Sequence, residues 1–459
     1  MKFKTLEIPN SDGLIFGRAA RTVKTGRGLL IGGGWVYPEL NFTVPEGTAI
    51  NRNTLLELKG QYSCIIREAL ERALRLEAQG LVFEFETLLE MTIDPFIGIE
   101  LTKAMNDVCE EFYTKYGLKS EIRLTPNDTR DYDRPPLMRS SKYLEGMMEL
   151  FDKGAKAGGN LLSIESTGGK EICDDAIMMC DIRGVVFALS VLGVRDMRFL
   201  WRQIADIARR NSKIAGGDTA CGFGNTAMVL AEKGYIPRIF AAVVRVLTVP
   251  RTLVAIEEGA TGPDKDCGYE GIYLKAIAGI PVSMEGKTAA CAHLSPVGNI
   301  AAACADLWSN ESVQNLKLLG GMAPTVYFEQ LEYDARLMNA AITDGEATRL
   351  KLRNLMVESD IHLDPQALVL APATVIEISR EIVKGENHLD ASLRGALKAV
   401  DLIEDAVRSG KLKSTDRENE WIGRIRDELC SIPRDEGKFV AEMLPVLDSS
   451  KFIPSEYGL

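Results

Sequence analysis

The sequence is poor in the residues on which several classes of protein depend. Only three of its 459 residues are histidine, so a transition-metal site would have to rely on sulfur and oxygen ligands. The formal net charge is −11, whereas surfaces that bind nucleic acids or anionic membranes need clustered Lys and Arg. No uninterrupted apolar run approaches the roughly 20 residues that span a bilayer, and no apolar signal core follows the N-terminus. We therefore expect a cytoplasmic protein that binds neither nucleic acid nor membrane.

A disulfide framework is also missing from the pattern, although the sequence has nine cysteines. They are scattered and odd in number, which predicts thiols rather than bridges. Cys221 and Cys267 each precede a glycine in a polar loop, a setting that favours function over packing. Six further cysteines lie in helical patterns or beside apolar residues and are interpreted as core residues. They are Cys64, Cys109, Cys173, Cys180, Cys304 and Cys430.

Strand and helix patterns alternate along most of the chain. The connections between predicted strands are too long for hairpins, which indicates a parallel sheet wrapped by helices. About eight such units predict a closed (β/α)8 barrel of the TIM type, with an open doubly wound sheet as the alternative. The predicted strands lie at 81–86, 121–125, 160–165, 185–191, 213–216, 253–257 and 282–285, with an eighth between 313 and 325.

The two ends of the chain differ from this repeating middle. Residues 1–80 are predicted as an N-terminal extension and a helix, and their segment 29–38 reads as a hairpin or a plug across the bottom of a larger structure. Residues 81–340 are predicted as the barrel. Residues 341–459 read as charged amphipathic helices that cover either the barrel or a partner.

The active site of such a barrel lies at the carboxyl ends of its strands, where the βα loops converge. Glu165 ends the third predicted strand, Cys221 follows the fifth and Cys267 follows the sixth, so all three are expected on one face. Two thiolates and one carboxylate can bind Zn²⁺ and leave its fourth tetrahedral position open. Zn²⁺ with these three ligands carries a formal net charge of about −1, which weakens the metal as a Lewis acid.

Other polar residues near the predicted strand ends are candidates for supporting roles. Asp218 and Glu285 could transfer a proton, although Asp218 is equally consistent with an Asx turn. Cys291 and His293 form the best competing pair of metal ligands. Lys265 and Lys287 could each be a solvated side chain.

Three loops resemble the methanol:corrinoid methyltransferase family, the zinc-bearing subunit of methanol methyltransferase systems in methanogens and acetogens. The resemblance is strongest between residues 160 and 335 and extends more weakly to both ends. The motifs that carry it are 162–166 with 168–170, 215–219 leading to Cys221 with 225–228, and 262–263 with 265–270. Segments 284–288, 291–293 and 308–312 also fit the family pattern.

The resemblance implies a barrel whose zinc is held by Glu165, Cys221 and Cys267, with the substrate oxygen in the fourth position. A cob(I) corrinoid carried by a separate protein would attack the methyl carbon of methanol and become methyl-Co(III). A proton donor is needed because hydroxide leaves poorly, and the candidates in order are Asp218, Glu285 and His293. The resemblance also implies a homodimer.

Ala220, Gly222, Phe223 and Gly224 depart from the family pattern around the middle ligand. An added Phe could reshape the pocket, so transfer from another small methyl donor is one alternative. A second alternative is a zinc-dependent lyase or hydrolase, which uses its metal to activate water or polarise a carbonyl. A third is a non-catalytic subunit whose structural zinc is closed by Cys291 or His293.

Overall fold

The computed structural model describes residues 1–266 and 270–459. Its strands are β1 (Arg18–Lys24), β2 (Leu30–Gly33), β3 (Tyr37–Thr43), β4 (Leu81–Glu86), β5 (Ser120–Thr125), β6 (Gly159–Ile164), β7 (Ile214–Asp218), β8 (Asp264–Asp266), β9 (Val282–Glu285), β10 (Leu307–Val313), β11 (Lys317–Leu318) and β12 (Gly321–Met322).

The α-helices are α1 (Leu55–Arg75), α2 (Leu89–Ile93), α3 (Pro95–Tyr116), α4 (Lys142–Ala157), α5 (Lys170–Met178), α6 (Ile182–Phe187), α7 (Val194–Arg210), α8 (Cys221–Glu232), α9 (Arg238–Glu257), α10 (Gly271–Ala278), α11 (Lys287–Ala292), α12 (Ala323–Asp344), α13 (Glu346–Asp360), α14 (Pro365–Leu370), α15 (Pro372–Ile382), α16 (His388–Arg408), α17 (Asp416–Ser431) and α18 (Glu436–Met443). A π-helical segment, Ala188–Gly193, joins α6 to α7, and short 3-10 turns lie at Ser11–Gly13, Thr129–Tyr132, Ile300–Cys304 and Pro454–Tyr457.

Strands β3 to β10 form one sheet in the spatial order β7-β6-β5-β4-β3-β10-β9-β8, and each neighbouring pair is parallel. The two outer strands meet, because the amides of Thr261 and Gly262 donate to the carbonyl oxygens of Ala215 and Gly216 at 2.8 and 3.0 Å. The sheet therefore closes, which confirms the predicted (β/α)8 barrel. Helices α13 to α18 supply the predicted C-terminal helical segment.

Five predicted strands correspond to β4, β5, β6, β7 and β9, and the other three were wrong. Residues 185–191 and 253–257 are helical, because these apolar runs are buried on every side and periodicity cannot separate a buried helix from a buried strand. The region 313–325 contains the last residue of β10 and the hairpin β11–β12. The strands that complete the barrel are β3, β8 and β10, so the first barrel strand lies within the segment predicted as an N-terminal extension.

The barrel is sealed at the amino ends of its strands by apolar side chains. Leu29 and Ile31, from the hairpin of β1 and β2, pack against Val82, Leu161 and Leu307, which lie near the starts of β4, β6 and β10. Segment 29–38 was predicted as a hairpin or a plug; the hairpin pairs β2 with β1 instead, and Leu29 and Ile31 contribute to the floor of the barrel.

Above this floor the interior is charged. Arg123 on β5 donates through Nε and Nη2 to Glu39 on β3 at 2.5 and 3.2 Å. Its Nη1 donates to the hydroxyl of Ser163 and the carbonyl oxygen of Pro263, both at 2.8 Å. Ser283 completes the group by donating to Glu39. Buried ionised groups are tolerated when they are paired and hydrogen-bonded in this way.

Helix α9 is the most apolar segment of the described residues. By length and composition it could span a membrane, with a mean hydropathy of 1.9 over 18 residues, but all of that window is buried inside the protein. It packs against α16, α14, α7 and α8. We therefore interpret α9 as the core helix between the barrel and the C-terminal helices.

Replacing Arg123 with Met should lower the free energy of unfolding by about 3–5 kcal/mol, because Glu39 would be left buried without its partner. Urea denaturation measures this loss. The exposed pair of Arg52 and Asp94 provides the control, and Arg52→Met should leave the midpoint unchanged. The double variant Arg123→Met with Glu39→Leu should recover part of the loss; an Arg123→Met protein as stable as the wild type would contradict this account of the interior.

Candidate functional site

Glu165 is the first residue after β6, in a loop that leads to α5. The loop is fixed on several sides: the Thr167 amide donates to Asp128 Oδ2 at 2.9 Å, and the Gly169 amide donates to the Tyr457 hydroxyl at 3.0 Å. Gly169 has a left-handed φ of +88°, which favours glycine. Glu165 therefore projects from a rigid loop at the carboxyl end of the barrel.

Cys221 begins α8, three residues after β7 ends. The Thr219 hydroxyl donates to Cys221 Sγ at 3.1 Å and accepts from the Cys221 amide at 3.2 Å. A Cβ on Gly222 would lie 2.8 Å from Glu165 Oε1, so the carboxylate of Glu165 rests against the first turn of α8. Two of the three predicted metal ligands are thus neighbours.

Cys267, the third predicted ligand, lies outside the described residues. Within residues 1–266 and 270–459, no group of three His, Cys, Asp or Glu side chains is arranged to hold a metal ion. The complete set of Glu165, Cys221 and Cys267 therefore stays a prediction.

Lys265 is central to the charge of the site. Its ammonium lies 3.0 Å from Glu84 Oε1 and 3.1 Å from Glu86 Oε2. Asn41 and Thr125 donate to the same two carboxylates at 3.1 and 2.9 Å. Burial lowers the pKa of Lys265, but Glu84 and Glu86 outweigh burial and raise it well above its ordinary value. The prediction of a solvated Lys265 was wrong, because the side chain is only 4% exposed and points into the barrel interior.

Carboxylates outnumber cations at the mouth of the barrel. Glu165 keeps some exposure to the mouth, but burial raises its pKa to about 7, with Lys265 opposing that effect. Burial also raises the pKa of Glu285 to about 7 and the pKa of Glu311 above its ordinary value. The side chains of Glu84, Glu86, Glu165, Glu285 and Glu311 face the Lys265 ammonium and the His293 imidazole, which carries charge only when protonated, so the mouth suits a bound cation.

Glu285 and His293 form a pair on β9 and just after α11. Glu285 Oε2 lies 3.2 Å from His293 Nδ1, within ion-pair distance although the two atoms are not aligned as a hydrogen bond. Glu285 raises the pKa of His293 above its ordinary value. This pair therefore retains a proton near neutral pH.

Asp218, the first predicted proton donor, is fully buried and already engaged. Its Oδ2 accepts from Trp201 Nε1 at 2.8 Å, and its Oδ1 accepts from the Ser166 amide at 3.3 Å and from Arg251 Nη2 at 3.1 Å. Asp218 therefore links the end of β7 to α7, to the loop after β6 and to α9. Phe223 lies in the same region, buried in the core with the Arg251 guanidinium 4.7 Å from its ring centroid.

The remaining cysteines divide by burial. Cys109, Cys173 and Cys304 are buried, as predicted, and Cys180 is partly buried. Cys64 and Cys430 are exposed, so their interpretation as core residues was wrong. Helical periodicity placed them on helices without identifying the face that they occupy.

Sequence reasoning missed Glu84, Glu86, Glu311 and Arg251. Glu84 and Glu86 alternate with Phe83 and Phe85 on β4, a period-two pattern that signals a strand with one polar face. The polar face of a strand normally points to solvent. The alternation on β4 alone therefore does not indicate that Glu84 and Glu86 point into an enclosed barrel interior.

Comparison with known proteins covers the entire chain. The family model MtaB, methanol-cobalamin methyltransferase B subunit, matches residues 1–458. The methanol–corrinoid protein co-methyltransferase of Methanosarcina barkeri (strain Fusaro / DSM 804) is 34% identical over 464 residues, covering 100% of this chain and 99% of the relative. The crystal structure of the methanol:cobalamin methyltransferase complex MtaBC from Methanosarcina barkeri matches with a TM-score of 0.94 and 34% identity, covering 100% of this chain and 99% of that one.

Replacing Thr219 with Val should weaken zinc binding about 10–100-fold, because the substitution removes the hydroxyl that donates to Cys221 Sγ. Competition with a chromogenic chelator measures the affinity. Thr226→Val is the matched control, since Thr226 lies on α8, the helix that Cys221 begins, and its hydroxyl donates to Asp174 at 2.9 Å. Equal zinc affinity in the Thr219→Val protein and the wild type would show that this hydroxyl does not support the ligand.

Proposed function

Because the chain belongs to the methanol-cobalamin methyltransferase B subunit family, we propose that it transfers the methyl group of methanol to a separate corrinoid protein and depends on zinc. The family resemblance indicated by the sequence motifs is confirmed, and the chain is a methyltransferase. In this proposal the product on the corrinoid is methyl-Co(III). The observation that carries it is the full-length family match together with Glu165 lying beside the first turn of the Cys221 helix.

The described donors fit zinc. Glu165 would supply an oxygen ligand, and Cys221, which is disulfide-bonded in this structure, would supply a thiolate ligand once reduced, a combination that zinc accepts. No described residue donates a hydrogen bond to the Glu165 carboxylate, so its oxygens remain available to a cation. We propose that Glu165, Cys221 and Cys267 hold the metal. Zinc bound there would act as a Lewis acid on the methanol oxygen, which is otherwise a poor leaving group.

The residues around the predicted ligands contribute charge and protons. Lys265 pairs with both Glu84 and Glu86, but its single charge balances only one of them, so the carboxylates around the site can still attract a cation. The pair of Glu285 and His293 keeps a proton near neutral pH and can deliver it to the leaving oxygen. We place this pair ahead of Asp218, whose oxygens are occupied by Trp201, Ser166 and Arg251.

The corrinoid protein has to approach the carboxyl end of the barrel, and that end carries exposed apolar side chains. The hairpin of β11 and β12 follows β10 there, and Leu319 at its tip is fully exposed, with Leu316 and Leu318 also exposed. Leu56, in the first turn of α1, is 85% exposed. We propose that these side chains contact the corrinoid protein, and that the chain acts in the cytoplasm as a homodimer.

The alternatives are less well supported. Lyase and hydrolase chemistry has no counterpart in the full-length family match. A structural zinc closed by His293 would have to compete with Glu285, which pairs with that imidazole. Phe223, the residue that suggested another methyl donor, packs beneath Arg251 in the core.

The direct test is to measure zinc in the purified protein and to mix it with methanol and the reduced corrinoid subunit of the MtaBC complex. Loss of the cob(I) absorbance should report methylation. Glu165→Gln should lower both zinc content and rate, whereas Glu171→Gln, which removes a partly exposed carboxylate on α5, should change neither. A protein with full zinc that methylates neither this subunit nor free cob(I)alamin would overturn the proposal.

A second test concerns the proton donor. Replacing Glu285 with Gln should lower kcat by about 10²–10⁴-fold, because the pair loses its acid. In the wild type, kcat should fall as the pH rises through about 7, since deprotonation removes the donor. Measured from about pH 6 to about pH 9, this limb should be missing in the Glu285→Gln protein. A wild-type profile in that variant would exclude Glu285 as the donor.

A further inference from the structure

Arg251, on the core helix α9, contacts both the residue after Glu165 and the elements on either side of Cys221. Its Nη2 donates to the carbonyl oxygen of Ser166 at 2.8 Å and to the Ser166 hydroxyl at 2.7 Å. The same nitrogen lies 3.1 Å from Asp218 Oδ1, at the end of β7. The guanidinium is fully buried.

The other side of the guanidinium faces Phe223, in the first turn of the helix that Cys221 begins. The guanidinium carbon lies 4.7 Å from the ring centroid, within the range of a cation–π contact. Asp218 adds a direct link, because its Oδ1 also accepts from the Ser166 amide. Hydrogen bonds and ring stacking thus join the end of β6, the end of β7 and the start of α8 around one cation.

We propose that Arg251 is a positioning residue that sets the separation of Glu165 and Cys221. The inference rests on the proposed function insofar as these two residues are metal ligands. Ser166 is covalently next to Glu165, and Phe223 is two residues from Cys221, so a shift of either backbone would break a contact with Arg251. The guanidinium therefore holds the Glu165 carboxylate and the Cys221 sulfur in register before any metal binds.

An arginine suits this position better than a lysine would. Its Nη2 alone makes the contacts with the Ser166 carbonyl, the Ser166 hydroxyl and Asp218, while the planar, delocalised face stacks on the Phe223 ring. A lysine ammonium could donate to some of the same oxygens, but it has no planar face to stack on that ring. Gly193 leaves the necessary room, since a Cβ there would lie 3.2 Å from Arg251 Cδ.

The test compares Arg251→Lys with the wild type, both first stripped of metal. Hydrogen–deuterium exchange should be faster, by on the order of tenfold, in peptides covering 163–170 and 218–226, and unchanged elsewhere. The matched control is Arg349→Lys. Arg349 is also a buried arginine that donates to a backbone carbonyl, that of Phe16, and lies 5.6 Å from the same residue's ring centroid, but it contacts neither loop.

Cobalt(II) substitution provides a second readout that general destabilisation would not produce. At equal cobalt content, the thiolate-to-cobalt absorption band of Arg251→Lys should shift or weaken, and its cobalt affinity should fall about tenfold. Under turnover, kcat should fall more than KM rises. Phe223→Leu removes the ring contact but keeps all hydrogen bonds of Arg251, so it should show the same changes to a smaller degree. It also keeps the inference testable if the Arg251→Lys protein does not fold.

The outcomes separate this inference from the proposed function. Unchanged exchange in both loops, or loop exchange that rises equally in Arg349→Lys, would overturn the positioning role. A wild-type protein that binds neither zinc nor cobalt would overturn the zinc-dependent function, while the exchange experiment on metal-free protein would still decide whether Arg251 holds the two loops together.

Discussion

Charge enclosed in the barrel is the constraint on which the other features depend. Arg123 compensates Glu39 in the lower layer, and above it Lys265 pairs with Glu84 and Glu86 and balances the charge of one of them. A buried carboxylate that loses its partner either takes up a proton or destabilises the fold. The barrel can therefore hold many carboxylates only by placing cations at defined levels along its axis. The carboxylates without a paired cation lie at the mouth.

The same principle shapes the surroundings of the barrel. Arg130 is buried between Asp128 and Asp196, and Asp128 in turn accepts from the Thr167 amide in the Glu165 loop. Arg251 and Asp218 form the equivalent pair beside β7. These buried ion pairs are directional, so they fix loop geometry in a way that apolar packing alone would not. Such ion pairs help to fix the distance between two loops that must both contribute residues to one site.

The sequence was sufficient to predict the barrel, and it placed Glu165 and Cys221 at strand ends correctly because each follows a recognisable strand and precedes a glycine-containing turn. It failed at β8, whose residues are Asp, Lys and Asp, because an isolated charged triplet reads as a solvated loop. It failed at α9 for the opposite reason, since a wholly buried helix has no polar face to reveal its period. The pairing of Lys265 with two glutamates on β4 could not be predicted, because it joins residues about 180 positions apart.

The hydrogen bond from the Gly169 amide to the Tyr457 hydroxyl joins residues 288 positions apart in the chain. At a synthesis rate of roughly 5–20 residues per second, the partner of Gly169 leaves the ribosome some tens of seconds after the loop itself. During translation the barrel strands can pair while the Glu165 loop still lacks one of its tethers. A Glu165 loop that has not yet made its Tyr457 contact would therefore be less rigid towards a metal than the finished loop.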